Sequence, residues 1–384
     1  MYLRRLNLIS FRNYSSAGLE LAPGTVIILG DNGAGKSNFL EAVQYSLSGR
    51  SYRTCREAEM VKKGAPRFRL EAEIERNGSG GGAAFRRTVS FEPGAGVRID
   101  TGGGPNWLEP GSILCFSSED LQLIKGPPAV RRKFLDEAIS RRHPAHHGLV
   151  LDYRKVLSQR NRFLQRAAAG LLPLADIAPW DRQLATLALA VHDARQSYCR
   201  LISPLFHDAY KELSGEREGP LLAYRSQISG LAEGDRETAL LRAMAEAWQQ
   251  DMMRLSTSIG THRDDMDFDL SGRSLKSYGS QGEQRTAVLA ILLAGRRLPV
   301  ACGGHQPLLL LDDVMSELDP KRRRRLMQAL GSRQGYQETT GLSIIGQTII
   351  TAADRELFTG EELKAAAVIE VRDGAVAAMK PEAG

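Results

Sequence analysis

The β-branched and apolar run Thr25-Val26-Ile27-Ile28-Leu29 leads directly into Gly30-Asp31-Asn32-Gly33-Ala34-Gly35-Lys36-Ser37. That octet fits the phosphate-loop pattern, with its glycines, lysine and hydroxyl residue at fixed spacing. The following residues, Asn38 to Leu47, place Phe39, Leu40, Val43 and Leu47 on one face at helical period. Buried strand, glycine turn and helix commit the chain to a layered α/β architecture. Glycines let the backbone wrap close to phosphate oxygens, and amide N–H groups with the helix N-terminus favour negative charge. The expected cradle is Gly30, Asp31, Asn32, Gly33, Ala34, Gly35, Lys36, Ser37 and Asn38. Lys36 is expected to reach the β- and γ-phosphates of ATP as a catalytic cation, and the Ser37 hydroxyl to bind Mg²⁺.

Far downstream, Leu308-Leu309-Leu310-Leu311 ends in Asp312-Asp313. It reads as a buried parallel strand that delivers carboxylates to the carboxyl edge of a sheet, where ligands bind in open α/β folds. Asp312 is expected in the Mg²⁺ shell and Asp313 as the acid that orients or deprotonates water. A strand ending in a solvated acidic turn is the plainer alternative. Ser280-Gln281-Gly282 stands 32 residues before Asp312 and opens a helix through Leu293. A small polar residue and a glycine before a helix make a second anion site, or simply a capped helix.

The Ser280-Gln281-Gly282 string resembles the signature of ABC-type ATPases, and Ser316-Glu317-Leu318-Asp319 stands where their D-loop belongs. Further strings occur in order along most of the chain. They are Phe11-Arg12-Asn13-Tyr14, Gly49-Arg50-Ser51-Tyr52-Arg53-Thr54, Phe116 to Leu121, Arg131 to Asp136, Gln159-Arg160-Asn161 and His262-Arg263-Asp264-Asp265. Together they resemble the RecF recombination-mediator family of the SMC-like branch. That resemblance implies a mixed-sheet ATPase lobe of ABC/SMC-head type with an antiparallel subdomain and an inserted helical domain. It implies that Ser280, Gln281 and Gly282 of one copy close over the ATP of a second, so that an ATP-dependent homodimer clamps duplex or gapped DNA. It also implies RecR- and RecO-like mediators as partners. Thr261 replaces the family's usual proline, Asp313 replaces the wider class's glutamate, and no switch histidine follows Gln347-Thr348-Ile349-Ile350. A shorter acid and a missing imidazole suggest slow hydrolysis. Arg50, Arg53, Glu119 and His262 are left open between contact and scaffold.

With 42% hydrophobic residues the 384-residue chain can build a sizeable core, and no apolar run reaches the ~18–20 residues of a membrane span. The N-terminus lacks the apolar region of a secretory signal. Cys55, Cys115, Cys199 and Cys302 have no metal-ligand spacing and read as reduced core residues of a cytoplasmic protein. His143, His146 and His147 read as a solvated turn beside Pro144.

The net charge of +6 points weakly to an anionic partner. Its distribution says more. Residues 121–170 carry eleven Lys and Arg against three Asp and Glu, an excess of eight that outweighs the whole chain's. Few aromatics interleave, so phosphate contact with a duplex is expected over base stacking. Arg131, Arg132, Lys133 and Arg160 are the candidate contacts, the alternatives being a solvated helical face or arginines buried against acids. Lys321 to Arg325 form a second basic run, with Asp319 as helix cap and Pro320 in the first turn.

Strand patterns fill residues 1–29, Phe68 to Ile74, Phe85 to Phe91 and Val97 to Asp100, the middle pair flanking the glycine-rich tip Asn77 to Gly82. From about residue 128 the period becomes helical, through Leu149, Tyr153, Val156, Leu157 and Leu164, then Leu184, Leu187, Ala188 and Val191. Pro173 and Pro179 bracket one break. The expected division is an ATPase lobe over 1–127, a helical insertion over 128–255, and the rest of the lobe over 256–384. The expected activity is an ATPase, weak and DNA-stimulated, that gates DNA binding in recombinational repair. An energy-coupling ABC subunit is the alternative, and a phosphate-loop small-molecule kinase would need no signature before the second acid strand.

Overall fold

The computed structural model describes residues 2–75, 84–102, 113–171, 173, 177–216, 219–231, 235–302, 306–331 and 346–378. The glycine-rich tip 77–82, Trp107-Leu108 and the last five residues lie outside them. The chain folds as two compact units. One comprises Met1–Asp120, Lys211–Glu216 and Leu292–Gly384, and the other comprises Leu121–Tyr210 and Arg217–Ile291.

The first unit begins with β1 (Tyr2–Phe11), β2 (Tyr14–Glu20), β3 (Thr25–Leu29) and α1 (Lys36–Ser48). It continues through β4 (Phe68–Glu75), β5 (Ala84–Glu92), β6 (Gly96–Asp100) and β7 (Ile113–Phe116). An antiparallel sheet runs in the order β2-β1-β4-β5-β6. β2 and β4 alternate buried residues with more exposed ones, as strands covered on one face must. Phe68 anchors the covered face. Its ring meets Phe11 and Tyr45 edge-on at 5.3 and 5.7 Å and stacks on Phe91 at 5.9 Å. Truncating so buried a ring to alanine costs about 3–5 kcal/mol.

The second sheet of this unit adds β11 (Leu308–Leu311), β12 (Thr348–Ala352), β13 (Ala367–Arg372) and β14 (Ala375–Ala378), in the order β14-β13-β3-β12-β11-β7. All its pairings are parallel except β13 with β14. β3 and β11 read as unbroken apolar runs because a parallel strand is covered on both faces, and their residues are almost wholly buried. The register aligns Leu29 with Ala352 and Leu311 with Ile350, so the ends of β3, β11 and β12 share the sheet's carboxyl edge. α10 (Pro320–Gly331) follows, capped by Asp319, whose carboxylate accepts from the Lys321 and Arg322 amides, each at 3.0 Å.

In the second unit lie α2 (Gln122–Lys125), α3 (Pro128–Arg142), α4 (Ala145–Ala168) and most of α5 (Ala178–Ser214). β8 (Leu221–Arg225), α6 (Arg236–Glu246), α7 (Trp248–Arg254), β9 (Asp265–Leu270), β10 (Arg273–Ser274) and α8 (Leu275–Tyr278) complete it, with the first half of α9 (Gln281–Ala301). Val150, Tyr153 and Val156 of α4 pack on Leu184, Ala185, Ala188 and Val191 of α5, the helical period read from the sequence. The unit reaches beyond 128–255 for two reasons. β9 pairs with β8, and Arg131 and Arg195 bond to the acids that open β9. His146 is not in a solvated turn: it is buried, with Nε2 3.1 Å from Asp136 Oδ1. Of the four cysteines only Cys199 is buried. Cys115 is half-buried, and Cys55 and Cys302 are exposed.

Candidate functional site

Two glycines of the phosphate loop take conformations that L side chains resist, Gly33 at φ 87° and Gly35 at φ 120°. A Cβ on Gly35 would lie 2.6 Å from Asn13 Nδ2, so sterics as well as φ demand glycine there. α1 begins at Lys36 with no side-chain cap, which leaves its first amides free for an anion. The Lys36 ammonium donates to the carbonyls of Gly30 (2.6 Å) and Asp31 (3.0 Å). Two of its three protons are thus spent on the loop, and the third remains for a phosphate oxygen. Gly30, Asp31, Asn32 and Ala34 line the same turn, and Asn38 lies in the first turn of α1.

The Phe11 to Tyr14 string braces this loop from behind. Asn13 Nδ2 donates to the Ala34 carbonyl at 2.9 Å, Tyr14 Oη to the Gly35 carbonyl at 2.9 Å, and Asn38 Nδ2 to Asn13 Oδ1 at 2.9 Å. Arg12 forks onto the fully buried Glu41 of α1 at 2.7 and 2.8 Å. Arg53 donates to Asn38 Oδ1 at 2.6 Å and lies 3.5 Å from Glu41, a scaffold contact on the loop's own helix.

Register brings the acid strand to the loop. Ser37 Oγ donates to Asp312 Oδ1 at 2.9 Å across 275 residues of sequence. Thr351 Oγ1 donates to the same oxygen at 2.8 Å while accepting from the Asp313 amide at 2.9 Å. Tyr52 Oη donates to Asp312 Oδ2 at 2.9 Å and lies 3.2 Å from the Ser37 carbonyl. Burial first, then the Asp312 charge, hold the Tyr52 phenol well above its usual range, so it stays a donor. Asp313 is exposed and sits at φ 50°, a strained conformation that suits a functional turn. Tyr52 and Thr351 escaped the sequence reading of the site because no spacing rule ties either to the phosphate loop. Tyr52 appeared only as a member of a family string.

Ser37 and Asp312 are hard oxygen donors, the set that suits Mg²⁺ beside substrate phosphates. Among the described residues no group of three or more His, Cys, Asp or Glu could hold a metal by itself.

The signature segment belongs to the second unit. Ser280 caps α9 in a reciprocal box: its amide donates to Glu283 Oε2 at 2.6 Å, and its Oγ accepts from the Glu283 amide at 3.3 Å. Ser280 and Gln281 are exposed, Gly282 half-buried, and Tyr278 just before them is 76% exposed.

Two of the arginines expected on DNA are buried ion-pair centres instead. Arg131 is 2% exposed and forks onto Asp265 at 2.6 and 2.9 Å, with its third nitrogen on the Gly126 carbonyl at 2.9 Å. Arg160 is fully buried, 2.7 Å from both Asp181 and Asp251. Arg160 cannot reach a phosphate without leaving the buried Asp251 uncompensated, and Arg131 cannot without breaking its fork onto the half-buried Asp265. Arg132 donates to the Asp264 carbonyl at 2.7 Å, and Lys133 stays exposed with Glu137 at 3.8 Å. On α4 the exposed cations are Arg154, Lys155, Arg162 and Arg166. The last three are spaced by seven and four residues and share one face.

In the His262 to Asp265 string Asp264 is buried, His262 and Asp265 are half-buried and Arg263 is exposed. Arg195 forks onto Asp136 at 2.9 Å through both Nε and Nη2, and reaches the Thr261 carbonyl at 2.7 Å. Tyr224 donates to Asp264. Burial acts to raise the Asp136 carboxyl, but the bonds from His146 and Arg195 bring it below the usual range. His262 Nε2 donates to the Thr257 carbonyl at 2.9 Å, so its Nδ1 accepts from Tyr153 at 2.7 Å. Burial foremost lowers this imidazole to about 4. It is a neutral scaffold residue.

Residues 26–345 match the family model described as "AAA domain, putative AbiEii toxin, Type IV TA system". The chain is 33% identical to the DNA replication and repair protein RecF of Thermosynechococcus vestitus, over 100% of this chain and 99% of that one. It is 36% identical to RecF of a Synechococcus strain, over 98% of each. Among solved structures it resembles the recombination mediator protein RecF with ATP, in the RecFOR pathway, with a TM-score of 0.79 and 27% identity over 99% of this chain and 98% of that one. An Smc head bound to the C-winged helix domain of ScpA shares the fold, with a TM-score of 0.55 at 14% identity over 100% and 98% of the two chains.

Proposed function

From the premise that this chain belongs to the RecF family of DNA replication and repair proteins, we propose that it is an ATP-gated DNA-binding ATPase of recombinational repair. The observation that carries the reading is the Ser37–Asp312 bond, which joins phosphate loop and acid strand at one sheet edge. Lys36 and the free amides of α1 bind the phosphates of ATP. Ser37 and Asp312 would hold Mg²⁺, which when bound would neutralise charge on the transferring phosphoryl group. Asp313, exposed beside them, orients the attacking water.

Two copies close over two nucleotides, with Ser280, Gln281 and Gly282 of one copy completing the site of the other. ATP favours closure because both copies contact it, a difference in affinity between open and closed states. Hydrolysis removes the shared phosphate and reopens the dimer. The second unit presents DNA contacts from the exposed face of α4, where Lys155, Arg162 and Arg166 replace Arg131 and Arg160 in that role. Duplex at gaps is the expected substrate, with RecR- and RecO-like mediators as partners in the cytoplasm. Among the described residues no helix is long and apolar enough to cross a membrane.

The test is duplex affinity at physiological salt, with and without ATP, for the parent and Ser280→Arg. The arginine adds bulk at an exposed cap and leaves the phosphate loop intact. ATP should tighten binding in the parent, and the substitution should remove that gain. Equal affinity in all four cases would overturn the ATP-gated reading.

A further inference from the structure

We infer that Tyr52 is a positioning residue that sets which lone pair of Asp312 remains open toward the bound cation. The inference rests on the nucleotide-site reading above and extends it to a residue with no assigned part in the chemistry.

A carboxylate has two oxygens, each able to accept about two hydrogen bonds. At Asp312, Oδ1 already accepts from Ser37 at 2.9 Å and from Thr351 at 2.8 Å. That oxygen is filled. Oδ2 accepts from Tyr52 alone among the hydrogen bonds of the described residues, so one acceptor position is left on the carboxylate. The three hydroxyls come from three places: the start of α1, the segment after α1, and β12. Together they fix the carboxylate plane.

The Tyr52 hydroxyl also lies close to Ser37. Ser37 contributes its hydroxyl to Oδ1 and its carbonyl at 3.2 Å from the phenol, and the phenol contributes its proton to Oδ2. The phosphate loop is thus tied to the acid strand through Oδ1, and the segment after α1 is tied to it through Oδ2. Without the phenol proton, Oδ2 gains a second open site and the carboxylate is free to turn about its remaining bonds. A residue that orients a ligand in this way changes metal affinity more than it changes the nucleotide pocket.

The experiment is calorimetric ATP binding to the full chain, titrated with Mg²⁺ from an EDTA-treated start, for the parent and Tyr52→Phe. Phenylalanine keeps the ring and removes only the hydroxyl. The Mg²⁺ midpoint should rise about 10-fold in the variant, while affinity for ATP in EDTA stays at the parent value. Placing 4-aminophenylalanine at position 52, which keeps an N–H donor at the same reach as the phenol, should recover part of the shift. It also serves as the second variant if Tyr52→Phe folds poorly. An unchanged midpoint would overturn the inference. So would an equal loss with and without Mg²⁺, which would make Tyr52 a packing residue only. A parent that binds no ATP at all would instead refute the nucleotide-site reading, so the two failures are distinguishable.

Discussion

Arg160→Met should unfold the second unit at a lower temperature and leave the nucleotide site alone. The Arg160 side chain is fully buried and its guanidinium serves three partners: Asp181 at 2.7 Å, Asp251 at 2.7 Å and Thr257 Oγ1 at 2.9 Å. Asp251 is itself 1% exposed. Its other oxygen accepts from the amide and hydroxyl of Ser258 at 2.8 and 2.5 Å, so the arginine is the cation that balances it. Methionine retains much of the apolar stem, which makes the loss mainly electrostatic. Removing one partner of a buried ion pair costs about 3–5 kcal/mol. For a unit of this size that corresponds to a fall of about 10 °C in Tm. Scanning calorimetry of the parent and Arg160→Met would read it directly. Adding Asp251→Asn should restore part of the loss, because the stranded charge is then gone. If Tm fell by less than about 2 °C while duplex binding collapsed, Arg160 would be a DNA contact and the ion-pair argument would be refuted.

Replacing Lys155, Arg162 and Arg166 together by glutamine should flatten the salt dependence of duplex binding by about one unit of slope per lost phosphate contact, with Tm nearly unchanged. An unaltered slope would remove α4 from the interface. Lys36→Met should weaken ATP binding by about 10- to 100-fold, the worth of a charged hydrogen bond, and calorimetry at constant Mg²⁺ would detect it. Equal affinity in the variant would contradict the assignment. Asp313→Asn should slow phosphate release by about 100-fold or more while ATP-dependent dimers accumulate in light scattering. Turnover at the parent rate would sink the water-orienting role. His262 binds its proton near 6.5 in the unfolded chain but only at about 4 in the folded one. Between those values the unfolded state holds more protons, so stability should fall as pH drops through that window, by on the order of 3 kcal/mol. The difference in denaturation midpoint between the parent and His262→Gln, followed from pH 7 to 4, checks this. A difference that stays flat with pH would count against it.

The phosphate loop, the acid strand and the helical stretch were legible because each rests on local physics. β3 occupies Thr25–Leu29 as its β-branched run requires, and the 3.6-residue period of α4 and α5 marks their packed faces. The basic segment was legible as charge and illegible as surface. Arg160 and Arg162 are two residues apart on one helix, yet the first is fully buried and the second exposed. The acids that make the difference, Asp181 and Asp251, lie 21 and 91 residues further on. Likewise His262, open in the sequence between contact and scaffold, is held by Tyr153 and the Thr257 carbonyl, and the buried Asp264 beside it accepts from Arg195 and Tyr224.

By itself, then, the sequence determined the elements and their chemistry: a glycine turn between strand and helix, acids at the end of an apolar run, and a capped signature helix. These follow from propensity, periodicity and side-chain type within a few residues. The tertiary structure decided which of those groups meet. Parallel register set Ser37 and Thr351 on one oxygen of Asp312 and Tyr52 on the other, and burial turned Arg131 and Arg160 from candidate DNA ligands into ion pairs. The physical reason is that hydrogen bonds and desolvation depend on distances of a few ångströms between residues tens to hundreds of positions apart, a quantity that no local pattern encodes.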